Sequence, residues 1–295
     1  MTDAMLNHDT RDRDARTITI VRVFDAPREL VFGNWVRAED VAGWFAPDGY
    51  TVTGCELDAR AGGQWWVEYR SATGETHRES GRFREIAEPD RLVFTLTQSD
   101  DQGHTGPETV VTVSFAATGT GTEMTFEQTG FPSTGLRDGN AEGWDECFGK
   151  LDRQLAETEI RREFEEWFAS AAAKDLDAVM TKIADDAVSY EHEAPLVHTG
   201  AERIREVCRH GFSVADGDFR WDIPDLRVIV RDDIAVTWGL NRMRVDGPAG
   251  RHESWSRGTR IFQKVGGRWR MIHQHVSFPY DPRSGRAVLD AAPAD

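Results

Sequence analysis

Two stretches of the chain concentrate acid–base side chains. Tyr190-Glu191-His192-Glu193, with His198 close behind, groups two carboxylates and two imidazoles. Far downstream, His273 and His275 stand two apart, so on a strand they share a face. An imidazole beside a carboxylate can take and return a proton near neutral pH, because histidine titrates there. The same residue types bind zinc or iron. No HxxxH or HExxH spacing occurs, however, so no metal is expected. These histidines can equally satisfy backbone groups or sit at a subunit interface. Earlier in the chain, Glu68, Tyr69, His77 and Glu127 are polar candidates for an interior cavity, none with an identifiable partner. Glycines 62–63 and 266–267 are turn glycines, and neither GxxxxGK nor GxGxxG occurs, so no cofactor is expected.

The elements that must position these residues fall into two sets. The length, 295 residues, favours two domains. Residues 1–16 alternate acid and base and read as a disordered tail, and 280–295 as a second tail. Between them, 17–24 reads as a strand, Pro27 can open a helix, and 38–45 is a second short helix. Strand-like runs follow at 50–58, 63–71, 78–87, 91–98, 109–117 and 121–129, with period two in Leu92, Phe94, Leu96 and in Val111, Val113, Phe115. The period then becomes helical through Trp144, Phe148, Leu151 and Leu155. A second unit begins with the stripe Ile160, Phe164, Trp167, Phe168 and Ala171. It continues through a strand at 187–193, a helix at 201–210 and strands near 218–231, 234–246, 253–264 and 268–278. The boundary near 156–159 holds neither Gly nor Pro, so the two helices join stiffly or run on. The expected domains are 17–157 and 158–279, both α+β, each pairing a curved antiparallel sheet with helices and leaving room for a cavity.

Composition narrows the partners. The chain has 51 acidic and 35 basic residues, a net charge of −16, which argues against nucleic acid or an anionic membrane surface. No apolar run reaches the ~18 residues of a membrane span, and the first residues hold no apolar signal core. Cys55, Cys147 and Cys208 are widely spaced and odd in number, which fits a reducing cytoplasm. The expected setting is cytoplasmic.

In the first unit three features occur in order. Phe24-Asp25-Ala26-Pro27-Arg28-Glu29-Leu30-Val31-Phe32 is followed by Trp44-Phe45. Arg60-Ala61-Gly62-Gly63-Gln64-Trp65 leads to Gly81, Glu85-Ile86 and Pro89-Asp90-Arg91-Leu92-Val93-Phe94-Thr95. Gly121-Thr122-Glu123-Met124-Thr125 precedes Gly143-Trp144. This order resembles the heat-shock-protein-90 ATPase-activator-like branch of the SRPBCC (START-like) superfamily. The resemblance implies a helix-grip fold with a cavity between sheet and C-terminal helix. Trp65 or Trp66, Phe83, Phe94, Phe115, Phe126, Trp144 and Phe148 would line that cavity or fill an ordinary core.

In the second unit, Ala184-Asp185-Asp186-Ala187-Val188-Ser189-Tyr190-Glu191, His198-Thr199-Gly200-Ala201 and Gly266-Gly267-Arg268-Trp269-Arg270-Met271-Ile272-His273 look like the SnoaL-like group of the nuclear-transport-factor-2-like superfamily. That resemblance implies a cone-shaped α+β barrel and commonly a homodimer through the sheet. Carried over from ketosteroid isomerases in that superfamily, the general base falls on Glu191. The oxyanion tyrosine falls on Trp167 and the protonated aspartate on Gly258, so isomerase activity is not expected. Tyr190, Trp167 and Trp255 are candidate pocket residues, with Glu191, His273 and His275 the candidate acid–base set. The leading expectation is a protein binding a small apolar or aromatic molecule. The alternatives are a cofactor-independent cyclase, dehydratase or isomerase, or a dimeric scaffold.

Overall fold

The period-two runs between residues 50 and 129 become one antiparallel sheet in the computed structural model, which describes residues 15–119, 121–248 and 250–293. Residues 1–14 of the expected tail lie outside the described residues. The chain divides into two compact units, Met1–Ala156 and Glu157–Asp295.

The first unit runs β1 (Ile18–Phe24), α1 (Arg28–Val36), α2 (Ala38–Trp44), β2 (Tyr50–Leu57), β3 (Gln64–Ser71), β4 (Thr76–Ala87), β5 (Arg91–Asp100), β6 (Thr109–Thr118) and β7 (Gly121–Thr129). The strand order is β1-β7-β6-β5-β4-β3-β2, a meander whose first strand returns beside its last. The helix α3 (Thr134–Ala172) follows and is continuous through the unit boundary, where no Gly or Pro interrupts it. Strand alternation sends Leu92, Phe94, Leu96, Val111, Val113, Phe115, Met124 and Phe126 to one buried face. The helical period sends Trp144, Phe148, Leu151 and Leu155 to the same core. Trp35 of α1 lies at its centre, within 4.7 Å of Trp44 and 6.1 Å of Trp144, centroid to centroid. Burying each such side chain stabilises by about 1.5–3 kcal/mol.

The second unit takes the end of α3, then α4 (Leu176–Met180), β8 (Ile183–Tyr190), β9 (His198–Thr199), α5 (Ala201–Val214), β10 (Asp218–Asp222), β11 (Arg227–Arg231), β12 (Ile234–Gly247), β13 (Gly250–Val265) and β14 (Arg268–Ser277). The short strands β15 (Tyr280–Asp281) and β16 (Arg286–Ala287) pair with each other. The main sheet runs β10-β12-β13-β14-β8-β9, with β11 also on β12. Among the described residues no ladder joins its two ends, so strand pairing does not close it into a barrel. The single strand expected over 218–231 is two strands, both antiparallel to β12. Pro224 lies in the break, where a residue without an N–H cannot continue a ladder.

One irregularity sets which side chains of β14 face inward. The β13–β14 register shifts so that Ile261 pairs with His273 while Phe262 pairs with Met271, leaving Ile272 as the extra residue of a bulge. An extra residue inverts which side chains face inward beyond it. Trp269 and Met271 point into the core, and after the bulge Val276 does.

Candidate functional site

The first unit holds a cleft of about 320 Å³ between the sheet and α3. Tyr69, Glu79 and Gln98 form its sheet wall, from three neighbouring strands. Asn140, Gly143, Trp144 and Cys147, at helical spacing, form its α3 wall, and Phe45 closes one side. A Cβ placed on Gly143 would meet no atom within 4 Å, so the absent side chain leaves room there.

The sheet wall is a bonded polar group that faces the ring of Trp144 across the cleft. The Tyr69 hydroxyl donates to Glu79 Oε1 at 2.9 Å, and Gln98 Nε2 donates to the Tyr69 oxygen at 2.9 Å. Burial pushes the Glu79 carboxyl up to about 7, against the opposing pull of the Tyr69 hydrogen bond and the His77 charge. Glu79 keeps some exposed surface and lines the cleft, so protein surrounds it on the sheet side while it stays reachable from the opening. A carboxyl titrating there can hold or release a proton near neutrality. Tyr69 and the Cys147 thiol are both pushed upward, chiefly by burial with the Glu79 charge adding to it. Cys147 is therefore held as a thiol and is no nucleophile at neutral pH.

The aromatic side chains expected to line a hollow in this unit occupy other places. Trp65, Phe83 and Phe94 surround a space of only about 20 Å³, room for about one water. Their rings meet edge to face, Trp65 on Phe94 at 5.3 Å and Phe83 on Phe94 at 6.0 Å. Phe115 packs edge-on against Phe32 at 5.6 Å. These four are core, because facing rings fill the volume the sheet encloses; Trp144 alone of the expected set lines the open cleft. Of the polar candidates Tyr69 lies on the cleft, and the carboxylate beside it is Glu79, which the sequence reading did not select.

In the second unit the expected acid–base set is divided. Glu191 Oε1 accepts from Ser189 Oγ and from Gln274 Nε2 at 2.6 Å. Gln274 stands between His273 and His275, so both histidines project to the opposite face. There they flank Tyr190, with ring centroids 5.0 and 5.8 Å from it. The bulge at Ile272 is the physical reason: it removes the histidines from the phase of Trp269 and Met271. Trp255 also lies on the outer face, opposite Arg242, whose guanidinium is 5.5 Å from the ring. Its neighbours Ser256, Gly258, Arg260 and Phe262 face inward.

Trp167, a candidate pocket residue, is buried and belongs to a packed polar centre. Arg260, 4% exposed, lies 5.0 Å from the Trp221 ring and 5.8 Å from the Trp167 ring. Its Nη2 donates to Asn241 Oδ1 at 3.0 Å, an oxygen that also accepts from Trp221 Nε1. Arg260 Nε has no partner, nor does the buried His192 Nε2, whose ring lies 4.4 Å from that of Phe278. Burial lowers both residues, Arg260 to about 10. A buried guanidinium so incompletely paired contributes little to stability. We expect Arg260→Met to leave the unfolding free energy unchanged or raise it by about 1–4 kcal/mol. A loss in urea titration would instead mean that the Asn241 bond outweighs the cost of burying the charge.

Among the described residues, no group of three or more His, Cys, Asp and Glu could hold a metal ion, and no helix is long and apolar enough to cross a membrane. Other grooves exist, one of about 500 Å³ beside Lys182 and Arg205. There Lys182 is ion-paired with Glu163 and Glu166, and Arg205 with Asp177.

Comparison with known proteins follows the same division. Residues 25–156 match the family of activator of Hsp90 ATPase homolog 1-like proteins, and residues 160–281 match a SnoaL-like domain. No curated protein matches the chain significantly. Among solved structures, an NTF2-like protein of unknown function from Pseudomonas putida KT2440 is 27% identical, covering 47% of this chain and 96% of its own, with a TM-score of 0.44. A protein from Arthrobacter aurescens is 25% identical over 50% of this chain and 90% of its own, TM-score 0.45. The AHSA1 protein from Silicibacter pomeroyi is 21% identical over 49% of this chain and 99% of its own, TM-score 0.44. The polypeptide thus joins an N-terminal domain of the activator of Hsp90 ATPase homolog 1-like family to a C-terminal SnoaL-like domain.

Proposed function

We propose that this protein binds a small, largely aromatic or apolar molecule in the cleft of its N-terminal domain, with Glu79 as the polar anchor, in a cytoplasmic setting. The observation carrying this reading is the cleft itself: about 320 Å³, with the rings of Phe45, Tyr69 and Trp144 among its polar lining and one desolvated carboxyl bonded to Tyr69. That size and mixture suit a small ligand. A proton-transfer role centred on Glu191 is the weaker reading, since His273 and His275 lie on the other face. Gly143→Leu tests the proposal, because Gly143 lines the cleft and a Cβ there meets no atom within 4 Å. Replacing a helical glycine should raise stability by up to about 1 kcal/mol. Binding of the neutral fluorophore N-phenylnaphthylamine should fall at least about tenfold, or about 1.4 kcal/mol. Unchanged binding by a stably folded Gly143→Leu protein would move the ligand elsewhere.

The outer face of the C-terminal sheet supports a second reading, a homodimer. Trp238, Thr259, His275 and Tyr190 stand in register across four strands, and Trp238 and Tyr190 are 40% and 42% exposed. Ile229 on the same face is exposed too. A face of this kind suits burial against a second copy. Trp238→Asp should then convert a dimer to a monomer in light scattering. A wild-type chain that is already monomeric at micromolar concentration would dismiss the dimer.

A further inference from the structure

We infer that the N-terminal cleft takes an organic cation, a small aromatic or alkyl amine whose ammonium group lies against Glu79; this rests on the proposal that the cleft is the ligand site. Three carboxylates line the cleft, Glu79 within and Glu142 and Glu146 on α3. Among the described residues lining it, none is Lys, Arg or His. Phe45, Tyr69 and Trp144 supply ring surface, which attracts cations through the ring quadrupole. An apolar wall alone would suit any aromatic molecule. A ring-lined cleft whose charges are all negative selects among them by charge.

The groups facing Glu79 leave that charge unmet. From β3 the Tyr69 hydroxyl donates to it, and from β5 Gln98 Nε2 approaches the same oxygen at 3.4 Å. From α3 comes the uncharged Cys147 thiol. On its own strand, the His77 charge favours the ionised carboxylate, but its Nε2 is 2.9 Å from Glu75. Lys150 of α3 is taken up by the carbonyls of Ala46 and Pro47, at 2.7 and 2.8 Å. Tyr69 and Gln98 are neutral donors, so they orient the carboxylate without cancelling it. An ammonium ion supplies the missing charge, and its arrival must favour the ionised carboxylate. Binding near neutral pH is therefore accompanied by release of a proton from Glu79 to solvent.

Calorimetry on the intact chain with tryptamine and its neutral counterpart tryptophol tests this. At pH 8 tryptamine should bind about tenfold tighter, with the preference shrinking toward pH 5 as Glu79 takes up its proton. Near pH 7, titrations in two buffers of different ionisation heat should show release of roughly half a proton per tryptamine and none per tryptophol. Glu79→Gln should remove both the preference for tryptamine over tryptophol and the proton release. Equal affinities with no proton release would overturn the cation and leave the cleft reading standing. If neither compound binds at millimolar concentration, both fail.

Discussion

Glu79→Gln should be more stable than the wild type at pH 8 and indistinguishable from it at pH 4. In the unfolded chain this carboxyl titrates near 4.5, and in the folded first unit near 7. At pH 4 both states hold the proton, and burying a neutral carboxyl carries no charge penalty. Between the two values the unfolded chain releases its proton while the folded one keeps it, so stability falls as pH rises. Above about 7 both states are ionised and the folded state bears the whole cost. At 1.36 kcal/mol for each tenfold change in proton affinity that cost is about 3 kcal/mol, and screening at the open side of the cleft reduces it to about 2. Glutamine has the same shape, accepts the Tyr69 hydroxyl and never ionises. Urea unfolding of the first unit at the two pH values reads the difference directly, and an offset that does not vary with pH would show that Glu79 titrates normally. Such a gain in stability combined with weaker binding is what a residue kept for function produces.

That residue was readable in principle. Trp65, Val67 and Tyr69 alternate inward on β3, and the hairpin register sets Val67 opposite Glu79 and Tyr69 opposite His77. Cross-strand partners share a face, so counting from the turn at 72–75 puts Glu79 inside. The sequence Thr76-His77-Arg78-Glu79-Ser80 hides this, because it shows no apolar alternation of its own. Where apolar period was strong, in β5, β6 and the α3 stripe, the strands, the helix and their buried faces were all legible. The failure at His273 and His275 differs in kind. A one-residue bulge at Ile272 reverses the face, and no glycine there marks it. Aromatic spacing likewise showed which rings turn inward but not whether they leave space. That depends on rings contributed by distant segments, as when Trp35, Trp44 and Phe45 complete the packing around Trp65 and Phe94.

Trp144→Ala should destabilise the first unit by about 3–5 kcal/mol, the range for removing a buried large aromatic. Its ring meets Phe126 at 4.6 Å, Phe45 at 5.3 Å and Phe148 at 5.5 Å, so three neighbours would lose a contact surface. Its Nε1–H also donates to Gln128 Oε1 at 2.7 Å. Gln128 is wholly buried and donates onward to Thr109 Oγ1 at 2.9 Å, which donates to the Leu96 carbonyl at 3.0 Å. The indole therefore acts twice, as packing and as the donor that starts a buried chain. Trp144→Phe separates the two roles. It keeps most of the ring and leaves the Gln128 oxygen without a donor, which costs about 1–3 kcal/mol in a dry core. Adding Gln128→Met removes that orphaned acceptor, so the double variant should recover part of the loss, as neighbouring sites couple. A double variant no more stable than Trp144→Phe would mean that the ring nitrogen contributes nothing beyond its volume. The cleft wall at this position would then be fixed by packing alone, and the buried Gln128–Thr109 chain would hold itself.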